Sequence, residues 1–272
     1  MNQTFSFQRW SLLVAKHWAE NRKRYILSIT AMAGLLFMWF VFIMMTDDHD
    51  PMAYGIQQVT YYFPFFGVGA FYASQFFKEI HSRTKGINYL LLPASVFEKL
   101  LCGLFYTLLV FFVVYTLLFY VVDALAVATA NAFHPSYTGD TANKAKLTNV
   151  FDLGNNEINP LAYYFMLIFI AVQSAALLGS AYFSSYSFIK TAIAFFLLFL
   201  FVFFIGNWFY DHLLPSGGFN ANQGTYRFFH EGKSWQINLP AWIGYSLGFI
   251  FKYAFPPVFW ATTYYRLKEK EV

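Results

Sequence analysis

The residues of this chain best suited to chemistry are few, and their spacing does not assemble a catalyst. Gly232-Lys233-Ser234 has the ending of a phosphate-binding loop, but Arg227 stands where the first glycine of that loop must be, so the backbone cradle has no starting turn. His49 lies among Asp47, Asp48 and Asp50, a group that could touch a metal ion but reads better as a hydrated turn. His134, His212 and His230 lack the spacing of a zinc site. Neither a Gly-x-Ser-x-Gly elbow nor a His-Glu-x-x-His helix occurs, so hydrolase chemistry has no scaffold. The single cysteine, Cys102, excludes an internal disulfide and any cysteine-based metal cluster. The expectation is no enzyme, with no catalytic, cofactor-binding or metal-ligating residue. No basic-aromatic platform in a soluble region suggests nucleic acid as a partner.

What must position the remaining polar residues is a membrane fold. Hydrophobic residues make up 58% of the 272 positions, charged residues 12%, and Phe alone fills 36. A soluble domain carries about a quarter charged residues, so this chain lacks the charge to cover a water-facing surface. Crossing a hydrocarbon core of about 30 Å takes about 20 apolar residues at 1.5 Å each. Such runs fall at 25–45, 59–77, 100–122, 161–180, 191–210 and 241–265. The predicted fold is all-α integral membrane, six transmembrane helices in one domain. Lys252, Pro256 and Pro257 interrupt the sixth run and leave its start open. The first run follows a basic segment and ends in Met44-Met45-Thr46-Asp47, without a small-residue cleavage site, so it is expected to stay as a helix.

Charge sets the expected direction. With the N-terminus inside, the inner segments hold thirteen basic residues: Arg9, Lys16, Arg22, Lys23, Arg24, Lys78, Arg83, Lys85, Lys99, Lys190, Arg266, Lys268 and Lys270. The outer loops hold four, Lys144, Lys146, Arg227 and Lys233, with Lys252 unassigned. Positive charge retained inside predicts an N-in, C-in topology. Two long outer connections, 123–160 and 211–240, are rich in Asn, Gly and Pro and are expected to form a small cap or re-entrant segments. Asp123 and Asp211 are expected at hydrated outer helix ends.

Residues 1–24 read as an amphipathic helix in the membrane interface, with Phe7, Trp10, Val14 and Trp18 at helical spacing and Arg22 and Arg24 among its basic neighbours. It serves as an anchor or as a lever to a cytoplasmic partner. The inner loop 78–99 carries more information. Gly86 is expected to cap the second helix in a left-handed conformation, with Arg83 and Lys85 in its last turn. Pro93 keeps its predecessor out of the helix, and Ser95 with Glu98 forms a capping box for the third helix. Between those caps, Ile87-Asn88-Tyr89-Leu90-Leu91-Leu92 is an apolar patch, tucked against its own bundle or docked on a soluble partner. A loop that only joined two helices could be shorter, which favours docking.

Leu91-Leu92-Pro93-Ala94-Ser95-Val96-Phe97-Glu98-Lys99 before the third helix resembles the cytoplasmic loop of permease subunits of type-2 ABC exporters. The ending Thr263-Tyr264-Tyr265-Arg266-Leu267-Lys268-Glu269-Lys270-Glu271-Val272 looks like that of bacterial, Bacteroidota-like members. The resemblance implies a permease of the bacterial cytoplasmic (inner) membrane that forms half of a translocation path. Its partners would be a separate ABC ATPase subunit, a second copy or homologue in a dimer, and membrane lipid. It also assigns Glu79, Arg83, Pro93, Ala94, Ser95, Glu98 and Lys99 to the ATPase-coupling region, where the apolar patch adds Tyr89 and Leu91. The outer connection 123–160 is longer than the family pattern. The competing reading is a non-transporting scaffold or assembly factor that recruits a cytoplasmic partner through the same loop.

Within the spans, Lys252 and Gln173 are the pathway candidates. A charge at the bilayer centre costs roughly 2.5–3.5 kcal/mol, so Lys252 either faces a pathway or snorkels to the surface. Gln173, Ser174, Gly67, Gly69 and Pro64 suggest helix packing and a kink. The transported substrate is not written in these residues.

Overall fold

The computed structural model describes residues 5–46, 52–133, 144–152, 160–213, 217–220, 225–230, 233–238 and 241–271. The chain opens with α1, Phe7–Thr46. Its 40 residues extend about 60 Å, so the described part of the segment expected as an interfacial helix, 1–24, runs from Phe7 without a break into the first apolar run. The physical reason is local: Asn21-Arg22-Lys23-Arg24 contains no Gly or Pro, and Arg and Lys are good helix formers. α2, Tyr54–Gln75, keeps Pro64 inside it. A 3-10 turn, Lys78–His81, and a short helix α3, Arg83–Leu90, follow.

From Val96 to Phe133 the chain is helical throughout: α4 (Val96–Leu104), a π-helical segment (Phe105–Val110) and α5 (Phe111–Phe133). Then come α6 (Pro160–Tyr182), α7 (Ser187–Leu213), α8 (Ala241–Tyr253) and α9 (Phe255–Glu271). Four helices are long and apolar enough to cross a membrane: Phe7–Thr46, Val96–Phe133, Leu161–Tyr182 and Ser187–Trp208. They place the chain among membrane proteins. The expected second span, 59–77, lies largely in α2, whose Gln57, Gln58, Thr60 and Tyr residues dilute its apolar character. The expected sixth, 241–265, is divided between α8 and α9 at Ala254, just before Pro256 and Pro257.

Contacts between helix ends show how the passes alternate. At one end, Ser6 and Arg9 meet Glu98, His81 meets Ser180, and Lys99 meets Glu271. At the other, Gln57 of α2 bonds the carbonyl of Lys146 and the amide of Thr148, and Asn131 of α5 clasps the backbone of Ala145. Between the ends the core is aromatic. Phe65 stacks on Phe169 at 4.2 Å, Tyr61 sits against Phe65, Tyr115 and Phe119, and the Tyr115 hydroxyl donates to the Tyr61 carbonyl at 2.8 Å.

Three further features depart from the sequence reading. Gly86 does not end α2; it lies inside α3. There a Cβ would come within 2.6 Å of the Ile80 carbonyl oxygen, so the glycine serves a close backbone approach. Asp123 is not a hydrated helix end. α5 continues ten residues beyond it, and the carboxylate is fully buried with no hydrogen-bond partner among the described residues. The apolar residues that follow it, Ala124 to Val127, simply extend the helix past the 20-residue minimum. Finally, 211–240 contains a three-stranded antiparallel sheet in the order β1 (Gly217–Asn220), β2 (Thr225–His230), β3 (Lys233–Asn238). The glycine of the Gly232-Lys233-Ser234 triplet is outside the described residues, and Lys233 and Ser234 are strand residues paired with β2.

Candidate functional site

The polar contacts concentrate where α1, α3, α4 and α9 come together. Ser95 caps α4: its hydroxyl accepts from the Glu98 amide at 3.2 Å, while a Glu98 oxygen accepts from the Ser95 amide at 2.8 Å. This is the capping box that the sequence predicts. The same carboxylate goes further. Its Oε1 accepts from the Ser6 amide at 2.7 Å and from the Arg9 guanidinium at 2.9 Å. Glu98 therefore satisfies the start of α4 and holds the start of α1 on it. Its side chain is fully buried, and a carboxylate so placed is tolerated only because charge and donors surround it.

The neighbouring residue does the same for the other end of the chain. Lys99, 1% exposed, donates to Glu271 at 2.7 Å and lies 5.6 Å from the centre of the Tyr89 ring. Around it, Phe77, Ile80, Val96, Leu100, Leu177 and Leu267 form an apolar cluster. Lys270 reaches His81 at 3.1 Å, and His81 in turn contacts the Ser180 carbonyl at 3.1 Å. Burial, then the Lys270 charge, hold the His81 imidazole below its ordinary pKa; the Ser180 carbonyl opposes this, and Arg266 adds to the lowering. Two adjacent residues, Glu98 and Lys99, thus tie both ends of the chain to the base of α4.

α3 has two faces as a result. Tyr89 points inward, against Phe77 and under Lys99, and Gly86 is buried on Ile80. Ile87 and Leu91, four residues apart and so on one side of a helix, are 59% and 76% exposed. Glu79, Asn88 and Pro93 are exposed beside them, as is Phe97, whose ring meets Phe5 edge-on at 6.0 Å. Leu92 and Ala94 are half-buried against the cluster of Leu13, Cys102 and Tyr106. The side chains of Arg83, Lys85 and Leu90 lie outside the described residues. Of the expected coupling set, Ser95, Glu98 and Lys99 are therefore internal, while Glu79, Leu91 and Pro93 face outward.

The α1 residues divide similarly. Trp10 packs edge-on against Phe105 of the π-helical segment at 5.5 Å, Trp18 is exposed near Tyr25, and Arg22 and Arg24 are exposed. The two pathway candidates do not meet. Gln173 is buried over Gly69 with neither amide atom bonded among the described residues. Lys252 donates to the Tyr164 hydroxyl at 3.2 Å in the first turns of α6, nine residues or about 13 Å along the helix from Gln173. Lys252 therefore lies towards the end of α6 opposite His81.

Sequence reasoning missed Ser6, His81, Lys270 and Glu271 as members of the cluster. The alternating Lys268-Glu269-Lys270-Glu271 was the available signal, because such a run at a helix end offers both charges to whatever packs there. No group of three or more metal-ligating side chains occurs among the described residues. Compared with protein families, curated proteins and solved structures, the chain matches none.

Proposed function

We propose that this chain is the permease subunit of an ABC exporter, with six spans, both ends in the cytoplasm, and α3 as the element that a separate ATPase subunit grips. The observation that carries the reading is α3 itself. It is a short helix between two long passes, tied inward through Tyr89 and outwardly apolar at Ile87 and Leu91. A patch of that kind rimmed by polar residues suits a protein contact. The capping box and the Lys99–Glu271 pair make its base rigid, so a push on α3 would be delivered to α4 and α9 rather than absorbed. In this reading Glu98 and Lys99 position the handle and do not touch the ATPase.

The basic residues at this end, including Arg22 and Arg24, fit a cytoplasmic face. A second copy or homologous partner would meet α7, where Phe196, Leu197, Leu198, Phe199, Phe203 and Phe204 are all exposed, a surface that lipid can cover as well. The test is affinity purification from native membranes, scored for a subunit that binds ATP. The wild-type chain should bring that subunit down, and Ile87→Asp with Leu91→Asp should lose it at unchanged expression. Recovery of a cytoplasmic partner without nucleotide binding would replace the exporter reading with that of a recruiting scaffold.

A further inference from the structure

Residues of α6, α7 and α9, with Ala70 of α2, line a cleft of about 440 Å³. This falls in the range of small-ligand sites, roughly 300–1,000 Å³. Its hollow comes from small side chains, Ala171, Ala175 and Ala176 on α6, facing the rings of Phe195 and Phe259. Thr191 also borders it, but its hydroxyl donates to the Ser187 carbonyl at 2.7 Å and is spent within α7. The walls offer carbon only, and in a bilayer the matching occupant is hydrocarbon.

A polar pair stands along α6 from the cleft, outside its lining. Tyr164 precedes Ala171 by seven residues, two helical turns on the same face of α6, with the exposed Ile168 between them. Lys252 precedes Phe255, another wall residue, by three. Lys252 and Tyr164 meet there, the ammonium 3.2 Å from the phenol oxygen and 5.2 Å from the ring centre. Among the described residues no carboxylate pairs with Lys252. A cation and a hydroxyl stand about 10 Å along α6 from a hydrocarbon slot.

We propose that this cleft holds an acyl chain of an anionic membrane lipid whose headgroup is bound by Lys252 and Tyr164. The site does not depend on the exporter reading. It is tested by native mass spectrometry of the detergent-purified protein, titrated with phosphatidylglycerol and with phosphatidylcholine of identical chains. The wild type should retain one phosphatidylglycerol in preference to phosphatidylcholine. Lys252→Gln should weaken phosphatidylglycerol about fivefold, the worth of one lysine near an anionic headgroup, and leave phosphatidylcholine unchanged. Ala175→Phe, which fills the slot, should weaken both; Ala192→Leu on the α7 wall repeats that test should the first variant fail to fold. Equal retention of the two lipids by the wild type, or an undiminished preference in Lys252→Gln, would overturn the headgroup assignment. Undiminished retention of both lipids in the filled variants would overturn the cleft.

Discussion

Glu98 is where single-residue physics is clearest. One carboxylate accepts from the Ser95 amide, the Ser6 amide and Arg9, so removing its charge should loosen the cap and the start of α1 together. We expect Glu98→Gln to lower stability by about 2 kcal/mol, from a lost cap and weakened charged hydrogen bonds, and Arg9→Ala to cost more because it takes the cation away from a buried carboxylate. Thermal unfolding in detergent measures both; equal losses would contradict the ranking. Asp123 is the opposite case, buried without a bonded partner among the described residues. Asp123→Asn should leave stability unchanged or raise it, and a marked loss in the same assay would reveal an unseen partner. The capping box was legible in the sequence because its rule is local: Ser and Glu three apart before an apolar run. The burial of Glu98 was not, because Ser6 and Arg9 lie about 90 residues away and no spacing rule joins them. The exposed reading of Asp123 failed for a similar reason: run length sets the minimum span, not where a helix stops.

At the scale of elements, α3 depends on Gly86. An alanine there would place its Cβ against the Ile80 carbonyl, so Gly86→Ala should shift α3 and impair partner binding, whereas Gly67→Ala, with open space around it, should not. Binding of the ATPase-scored partner to the two variants compares them. The end of α9 is held to the 3-10 turn through Lys270 and His81, and this contact should depend on pH. His81 has its pKa lowered in the folded state, so below about 6.5, its ordinary value, the unfolded chain takes up protons that the folded one resists. Stability then falls as pH drops from that value towards the folded pKa, and is unaffected by His81 above it. His81→Gln should remove the acid-sensitive step from a pH series of protease protection at the α9 end; an unchanged series would refute the role of His81. Helix existence was legible along most of the chain from apolar runs alone. The continuity of α1 was not, because a change from amphipathic to apolar pattern alters what a helix faces without breaking its backbone.

Across the whole molecule, the contacts give a bundle whose passes alternate between two ends, one sealed by the Glu98–Lys99 ties and the other by 144–152 folding back onto Gln57 and Asn131. That segment belongs to the outer connection expected as a cap or re-entrant segment; Val150 is buried and its carbonyl accepts from Tyr62, so it packs onto this end of the bundle. The sheet at 217–238 escaped notice because its turn signals resemble any Gly- and Asn-rich loop, and pairing partners are not marked in a short strand. The apolar run 87–92 was legible as a sequence pattern before the Ser95 cap, although the expected Gly86 cap did not form. Which of its residues turn outward required the inward ties of Tyr89 and Gly86. In the proposed function, Ile87 and Leu91 face the cytosol and are covered there by an ATPase. Cys102 is the one native cysteine and is buried, so Leu91→Cys adds a clean reporter for a membrane-impermeant maleimide. Labelling is expected in inverted membrane vesicles stripped of the ATPase, protection when the ATPase is bound, and none in intact cells. Labelling in intact cells, or labelling that the ATPase does not diminish, would contradict it.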